Sequence, residues 1–306
     1  QELKIPIIVG VVMILLLALL ASWQVFSNKK QDGLLRVSFL NVGQGDATFI
    51  ESPTGTQVLI DGGRGSSVLG QLQSVMGFFD REIDMVVATH ADLDHIAGLI
   101  DVLSRYKVGT ILITENVNDT PVFDAFLNAV EKEGAQIIYA RRGQVFDFGS
   151  GSEGSTTLTI LFPDHDPTGL ESNMSSIISR LVYGESEYML TGDSPDEIEE
   201  YLVSLGTSTL VSDVLKAGHH GSRTSSSEVF VSAVHPTYAI ISAGKDNSYG
   251  HPHKEVTDLF SEKEIILQLF SWKCNKRFFN EFKKIELSHR QPQAKDDYKH
   301  AEYWYQ

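Results

Sequence analysis

The chain has 306 residues, 42% of them hydrophobic and 21% charged, enough to bury a core and to form one or two domains. A formal net charge of −15 excludes a broad basic surface for phosphate backbones, so nucleic-acid chemistry here needs a local device, such as divalent cations, to reverse the field. The single cysteine, Cys274, excludes an internal disulfide and a cysteine-rich zinc site.

Residues 5–22, IPIIVGVVMILLLALLAS, form one uncharged apolar run, long enough for a hydrocarbon core of about 30 Å and longer than the h-region of a cleaved signal peptide. The expectation is an uncleaved single-pass transmembrane anchor within residues 1–30, followed by a linker at 31–33. Lys4 on one side and Lys29 and Lys30 on the other lean, by the positive-inside rule, toward a cytoplasmic domain.

From residue 34 short apolar runs alternate with Gly, Asp and Pro. LRVSFL, ATFIES and TQVLID read as strands, with a PTG turn between the last two. SSVLGQLQSVMGFF reads as a helix, DMVVATH as a buried strand and HIAGLIDVLSRY as an amphipathic helix. GTILITE, PVFDAFLNAVEKEG and QIIYA continue the alternation. A β-rich block with TTLTILFP, SIISRLVYG and EYMLTGD precedes a return to α/β in PDEIEEYLVSL, SDVLKAGHH, SSSEVFVSAV and YAIISAG. Strands first and βα units after, twice over, imply sheets covered by helices on their outer faces.

Four polar residues at 89–99, THADLDHIAGL, carry the strongest chemical signal. His90 leaves a strand, and Asp92, Asp94 and His95 lead into a helix, with Asp94 expected at its N-cap position. Capping accounts for one of the four. Imidazoles and carboxylates converging between a strand end and a helix start suit zinc, manganese or iron. In YMLTGDSPDEIEEYL a second strand delivers Asp193, either a turn residue or a bridging carboxylate. DVLKAGHHGSRTSSS places His219 and His220 in a Gly-Ser turn before a Ser-rich helix start; free N–H groups there, with Lys216 nearby, suit an anionic oxygen, against the alternative of a solvated surface loop. SAGKDNSYGHPH sets Asn247, His251 and His253 after another strand; His251, between Gly250 and Pro252, is the better ligand, and His253 is expected in solvent. Asp46 in NVGQGDATFI and Asp61 in LIDGG, each beside a strand, read as hairpin punctuation.

Taken in order, FLNVGQGDATFI, LIDGG, THADLDHIAGL, LTGD, LKAGHHGS and NSYGHP resemble the metallo-β-lactamase superfamily, and within it the hydrolase domain of ComEC-type DNA-uptake proteins, over about residues 34–263. The resemblance implies an αββα sandwich with two divalent metal ions, zinc or manganese, at one edge of the packed sheets. His90 and Asp92 would hold one ion, Asp94 and His95 the other; Asp193 would bridge them and His251 complete the second site. It further implies a phosphodiesterase acting on DNA outside the membrane, with the DNA-uptake machinery as a partner, a placement preferred here to the one from the lysine count. In that picture Asp94 orients the nucleophile and His220 contacts the scissile phosphate or protonates the leaving oxygen. Lys216, His219, Ser222 and Asn247 would hold the phosphate.

Three features depart from the family pattern. Asp92 stands where a histidine is usual, Asn173 falls near another expected histidine, and residues 264–306, basic and polar-tailed, do not look like the closing strands. Hydrolysis of a nucleotide, lactone or thioester is the nearest alternative, and an inactive metal-binding membrane module the more distant one.

Overall fold

A computed structural model describes residues 9–20 and 33–270. Residues 9–20 are helical with exposed apolar side chains such as Ile14 and Leu19. The remainder of the expected anchor, 5–8 and 21–22, lies outside the described residues, as do the linker residues 31–32 and the tail beyond 270. No helix among the described residues is long and apolar enough to cross a membrane.

From Arg36 onward the chain builds two sheets. The first holds β1 (Arg36–Phe39), β2 (Thr48–Glu51), β3 (Gln57–Ile60), β4 (Glu82–Val87), β5 (Lys107–Ile113) and β6 (Gln136–Tyr139), in sequence order across the sheet. The second runs β13 (Ile266–Phe270), β12 (Tyr238–Ser242), β11 (Val214–Lys216), β10 (Ser186–Leu190), β9 (Ile178–Tyr183), β8 (Gly154–Phe162) and β7 (Val145–Gly151). Each sheet has an antiparallel hairpin part, β1–β2–β3 or β7–β8–β9–β10, and a parallel part, β3–β4–β5–β6 or β10–β11–β12–β13. β13 pairs in parallel with β12, so the second sheet closes and extends past the expected boundary at residue 263.

Period-two side chains explain the layering. On β4, Val86 faces one core with Leu69, Leu72, Leu99 and Phe126 of the helices, while Met85 and Val87 face another with Leu158, Leu190 and Ile240 of the opposite sheet. On β12, Ala239 and Ile241 pack against Ile198, Phe230 and Phe260, while Ile240 points between the sheets. Helices α1 (Ser67–Val75), α2 (Leu93–Leu103) and α3 (Pro121–Glu133) cover the first sheet, and α4 (Asp196–Leu205), α5 (Glu228–Val234) and α6 (Lys254–Glu262) the second, giving four layers, helix–sheet–sheet–helix. Strands buried on both faces read as continuous apolar runs, and DMVV and YAII do.

The helices start and stop where the sequence tells them to. Thr120 caps α3 by accepting a hydrogen bond from Phe123 N (3.3 Å), Pro121 occupies the first turn, and Gly134 ends it at φ 71°. On α2 the buried stripe is Ile96, Leu99, Val102 and Leu103. Leu99 is fully buried, and its truncation to alanine costs about 2–5 kcal/mol. That stripe turns the polar N-terminal end of α2 toward the other sheet.

Candidate metal centre

Five chain segments meet where the parallel strands of both sheets end. β3 runs into Asp61, β4 into His90, β10 into Asp193 and β11 into a turn at Gly218–Gly221 that carries His219 and His220; the loop after β1 brings Asp46. Parallel strands share a direction, so residues just past their C-terminal ends gather at one edge. Gly45 shows how tightly the loops are pressed together: its φ is +112°, and a Cβ there would collide with the carbonyl of Asp94, to which Asp46 N donates at 3.3 Å. Asp61, His219 and His220 hold φ of 59°, 47° and 55°, left-handed conformations that cost a non-glycine residue about 1–3 kcal/mol. Such strain is concentrated at functional sites.

At the helix start the capping position belongs to Asp92, not to Asp94 as the sequence suggests, because α2 begins at Leu93. Asp92 makes no side-chain cap hydrogen bond. Asp94 sits in the first turn. Neither carboxylate is consumed by capping, so both are available to the site.

Asp193 Oδ2 is the hub. His95 Nε2 lies 3.3 Å from it, His220 Nε2 3.4 Å, His90 Nε2 3.9 Å and His219 Nε2 3.9 Å. His220 Nε2 is also 3.4 Å from Asp94 Oδ2, and His90 Nε2 3.8 Å from Asp92 Oδ2. Asp46, His95, Asp193 and His220, all buried, each offer a ligand atom within 4.8 Å of the others.

Two of these imidazoles are held from behind by a carboxylate. Asp61 Oδ2 accepts from His95 Nδ1 at 2.8 Å, and Asp61 also accepts from Thr89 N (2.9 Å) and Thr89 Oγ1 (2.7 Å). Asp46 Oδ1 lies 3.3 Å from His220 Nδ1, and its other oxygen takes a hydrogen bond from Lys216 Nζ at 2.7 Å. His90 is fixed differently. The hydroxyl proton of Thr89 is spent on Asp61, so its oxygen accepts from His90 Nδ1 (3.0 Å), which leaves the Nε2 lone pair bare.

The electrostatics follow from these contacts. Burial and the charge of His95 hold His90 down to about 3, so this imidazole is neutral. For His220, burial opposes the proton, but Asp193 and Asp46 outweigh it and push the group up to about 10. His95 is likewise raised well above the ordinary imidazole range against its burial, chiefly by Asp193 and Asp61. Asp193 falls well below the carboxylate range despite its burial, through His220 and His95. Burial works against the Asp46 anion, yet Lys216 and His220 hold it down to about 2.

The donor set fits a divalent cation. Buried His90 Nε2, His95 Nε2, His220 Nε2 and Asp193 Oδ1 have no hydrogen-bond partner, an arrangement that costs free energy unless a ligand sits among them. Imidazole nitrogen and carboxylate oxygen in this mixture suit zinc, manganese or iron.

Of the sequence-derived ligands, His90, Asp94, His95 and Asp193 converge directly and Asp92 joins through His90. His251 stands one ring further out, 5.5 Å from His219 and 6.3 Å from His220 between ring centroids, its buried Nδ1 without a partner. Burial and the charges of His219 and His220 hold it down to about 4. His220, expected at the phosphate, is buried within the ligand cluster instead.

The expected phosphate holders are mostly engaged elsewhere. Lys216 is 4% exposed, and its ammonium bonds Asp46 Oδ2 and Ala217 O (3.2 Å). Ser222 Oγ is paired with Thr224 Oγ1 at 3.0 Å. Asn247 locks its own turn: its amide nitrogen donates to Gly244 O (2.7 Å) and His251 O (2.6 Å), and its oxygen accepts from Tyr249 N (3.1 Å) and His251 N (2.9 Å). His219 alone of the four keeps a partly exposed side chain at the cluster. The acceptor expected at the Ser-rich helix start is already supplied by the protein: Glu199 accepts from Ser226 N and Ser227 N, both at 2.8 Å. His253 accepts from Arg223 N at 3.0 Å, and Asn173 begins a short 3₁₀ turn with its buried Oδ1 unpaired.

Sequence reasoning missed Asp46 and Asp61 as members of the site. The available signal was the glycines beside them, GQGD and IDGG, which permit backbone approach to α2.

A helix–sheet–sheet–helix sandwich with a buried His/Asp cluster at the strand ends defines a metallo-hydrolase class, and the match is explicit. The metallo-beta-lactamase superfamily model matches residues 40–245, and the chain belongs to that superfamily. Within it the chain is 32% identical over 248 residues to ComE operon protein 3 of Bacillus subtilis (strain 168), covering 75% of this chain and 31% of that one. It is 30% identical over 224 residues to Competence protein ComA of Neisseria gonorrhoeae, covering 72% and 28%. The chain thus spans about a third of the length of these relatives. Among solved structures, CmlA, a diiron beta-hydroxylase from Streptomyces venezuelae, aligns with a TM-score of 0.51 at 14% identity over 76% of this chain and 53% of that one, a likeness of fold.

Proposed function

We propose that this chain is a metal-dependent phosphodiesterase acting on DNA, carried by a hydrolase domain that begins near residue 34 and tethered to the membrane through residues 5–22. The observation that carries the hydrolytic part is the convergence of unpartnered buried imidazole and carboxylate atoms on Asp193 Oδ2. The likeness to a competence protein supports DNA as the substrate and the uptake machinery as the partner. By the same likeness the domain lies outside the cell membrane.

Two divalent ions, zinc or manganese, would be held by His90, Asp92, Asp94, His95 and Asp193, with His251 approaching from outside. Bound there, they supply a water nucleophile at neutral pH and charge stabilisation for in-line displacement. Asp61 and Asp46 fix the Nδ1 sides of His95 and His220, so both Nε2 atoms point to Asp193; carboxylates behind ligating imidazoles raise their basicity and set their orientation. That parallel favours His220 as a ligand over the proton donor its HHGS setting suggests. Asp94, partly exposed, would orient the attacking water, and His219 Nε2 at the open side would contact the phosphate.

The test is elemental analysis with oligonucleotide cleavage across manganese and zinc. Wild type should bind two ions and cleave DNA, and His220→Ala should lose metal together with activity on DNA and on bis-p-nitrophenyl phosphate. Retained metals with a DNA rate lower by about 10²–10⁴-fold, and little loss on the activated ester, would make His220 the acid. No bound metal in wild type removes the mechanism. A net charge of −15 favours a second reading, hydrolysis of a smaller ester, which predicts turnover of lactones or thioesters and none of DNA.

A further inference from the structure

Next to the cluster the structure leaves one large ring exposed. Tyr249 is 57% exposed, yet its ring is not loose: it stacks on His251 at 5.6 Å between centroids and 23° between planes. The turn that presents it is pinned by four hydrogen bonds to the Asn247 amide, one of them from Tyr249's own N–H. His251 in turn packs edge-on against His219 (5.5 Å, 74°) and His253 (4.9 Å, 80°). His219 Nε2 is 3.9 Å from Asp193 Oδ2. The path from the open face of Tyr249 to the hub therefore passes through two imidazole rings. One face of the tyrosine is spent on His251, and the other is open.

A ring held in place loses little conformational entropy when a ligand stacks on it, which is why tyrosines serve as rigid contact surfaces. A nucleobase is the flat group that accompanies a phosphodiester, and any base offers a π-face, so such a platform is indifferent to sequence. In a duplex both faces of a base are occupied by its neighbours. A base reaches an outside ring only where the strand is single or frayed.

We propose that Tyr249 is the stacking platform for a nucleobase next to the scissile phosphate, and that the substrate is engaged as a single strand. The proposal rests on the phosphodiesterase reading and adds to it a specificity-determining residue. Exposed Lys245, in the same loop as Tyr249, supplies local positive charge for the backbone on an otherwise acidic protein, whereas Arg223, one residue beyond Ser222, is already paired with Glu255 at 3.3 Å.

Steady-state cleavage of a short single-stranded oligonucleotide by the full chain in detergent tests this, beside equilibrium binding of the same oligonucleotide and of an abasic oligomer of equal length and charge. Tyr249→Ala should raise KM for the base-containing strand by about 5- to 150-fold, the range for losing one base–aromatic stack, with kcat held. Tyr249→Phe and Tyr249→Trp should restore KM. Wild type should bind the abasic oligomer as weakly as Tyr249→Ala binds the intact one. An unchanged KM in Tyr249→Ala, with DNA still cleaved, overturns the proposal and leaves the phosphodiesterase reading intact. A fall in kcat with metal loss and no rescue by Phe or Trp also overturns it, making Tyr249 a support for His251. Wild type that neither binds nor cleaves any oligonucleotide, while hydrolysing another ester, removes both.

Discussion

Two carboxylate–imidazole pairs face each other across the centre, and they are built differently. Asp61 and His95 both belong to the first half of the chain, and the second oxygen of Asp61 accepts from the neutral backbone N–H of Thr89, 28 positions away. Asp46 and His220 come from opposite sheets, and the anchor of Asp46 is a cation, Lys216, 170 positions away. The first pair is complete once β3, β4 and α2 have packed. The second exists only when both sheets have docked, and its charged Lys216–Asp46 bond ties them together. A buried ion pair is poor evidence for stability in itself, but removing one partner strands the other charge in the core.

The largest expected effect comes from breaking the second pair. Lys216→Met leaves the Asp46 carboxylate buried without its cation and should cost about 3–5 kcal/mol in denaturant unfolding. Asp46→Asn combined with Lys216→Met should recover most of that loss. Recovery absent from the double variant would mean the lysine's packing, not its charge, holds the sheets.

Glu199 sharpens the same contrast, because it is a buried acid without a cation. Burial outweighs its two backbone hydrogen bonds and raises it to about 7. α4 adds Asp196, whose charge pushes in the same direction. Between the unfolded value near 4.5 and about 7 the folded state holds a proton that the unfolded chain has released, so this group makes stability fall as pH rises across that window. The fall amounts to about 3 kcal/mol at full ionisation, from 1.36 kcal/mol per pKa unit. Asp46, held down to about 2, behaves oppositely, contributing stability above the unfolded carboxylate value that is lost as pH falls toward 2. Urea midpoints of wild type and Glu199→Gln from pH 4.5 to 7.5 should differ in slope; parallel curves would show that Glu199 is ionised throughout.

Breaking the first pair should cost less. Asp61→Asn keeps a residue tolerant of φ 59°, removes the charge behind His95 and turns one of two acceptor oxygens into a donor, so metal affinity should fall about 10–100-fold, read by competition with a chelating dye. Equal affinity would remove Asp61 from the centre. The smallest effect is at Ser227, which caps α5 by accepting from Phe230 N at 3.3 Å; Ser227→Ala should cost about 1 kcal/mol in unfolding and leave metal content unchanged.

Much of this molecule was open to reading along the chain, because periodicity, caps and turn residues act over a few positions. DMVV, YAII and PVFDAFLNAVEKEG declare their elements through apolar period, capping threonine and terminal glycine, and the observed β4, β12 and α3 follow them. The ordered motifs carried the family, and THADLDH places His90, Asp94 and His95 beside Asp193 and His220, since a strand end and a helix start bring those side chains together locally. β13 was missed because the segment's basic tail hid a five-residue strand that its pairing with β12 defines.

What tertiary structure alone decided is which polar groups use each other. Asn247, Ser222 and Lys216 are residue types that bind phosphate, and no local pattern says that a turn, a threonine hydroxyl and Asp46 have already claimed them. Asp46 and Asp61 look like loop punctuation until the opposite sheet, or helix α2, arrives against them. Composition and motif reveal the side chains that can carry chemistry, because those are properties of the chain itself. Their partners are fixed by long-range packing, because hydrogen bonds saturate and each buried donor goes to the acceptor that the docked sheets bring within reach.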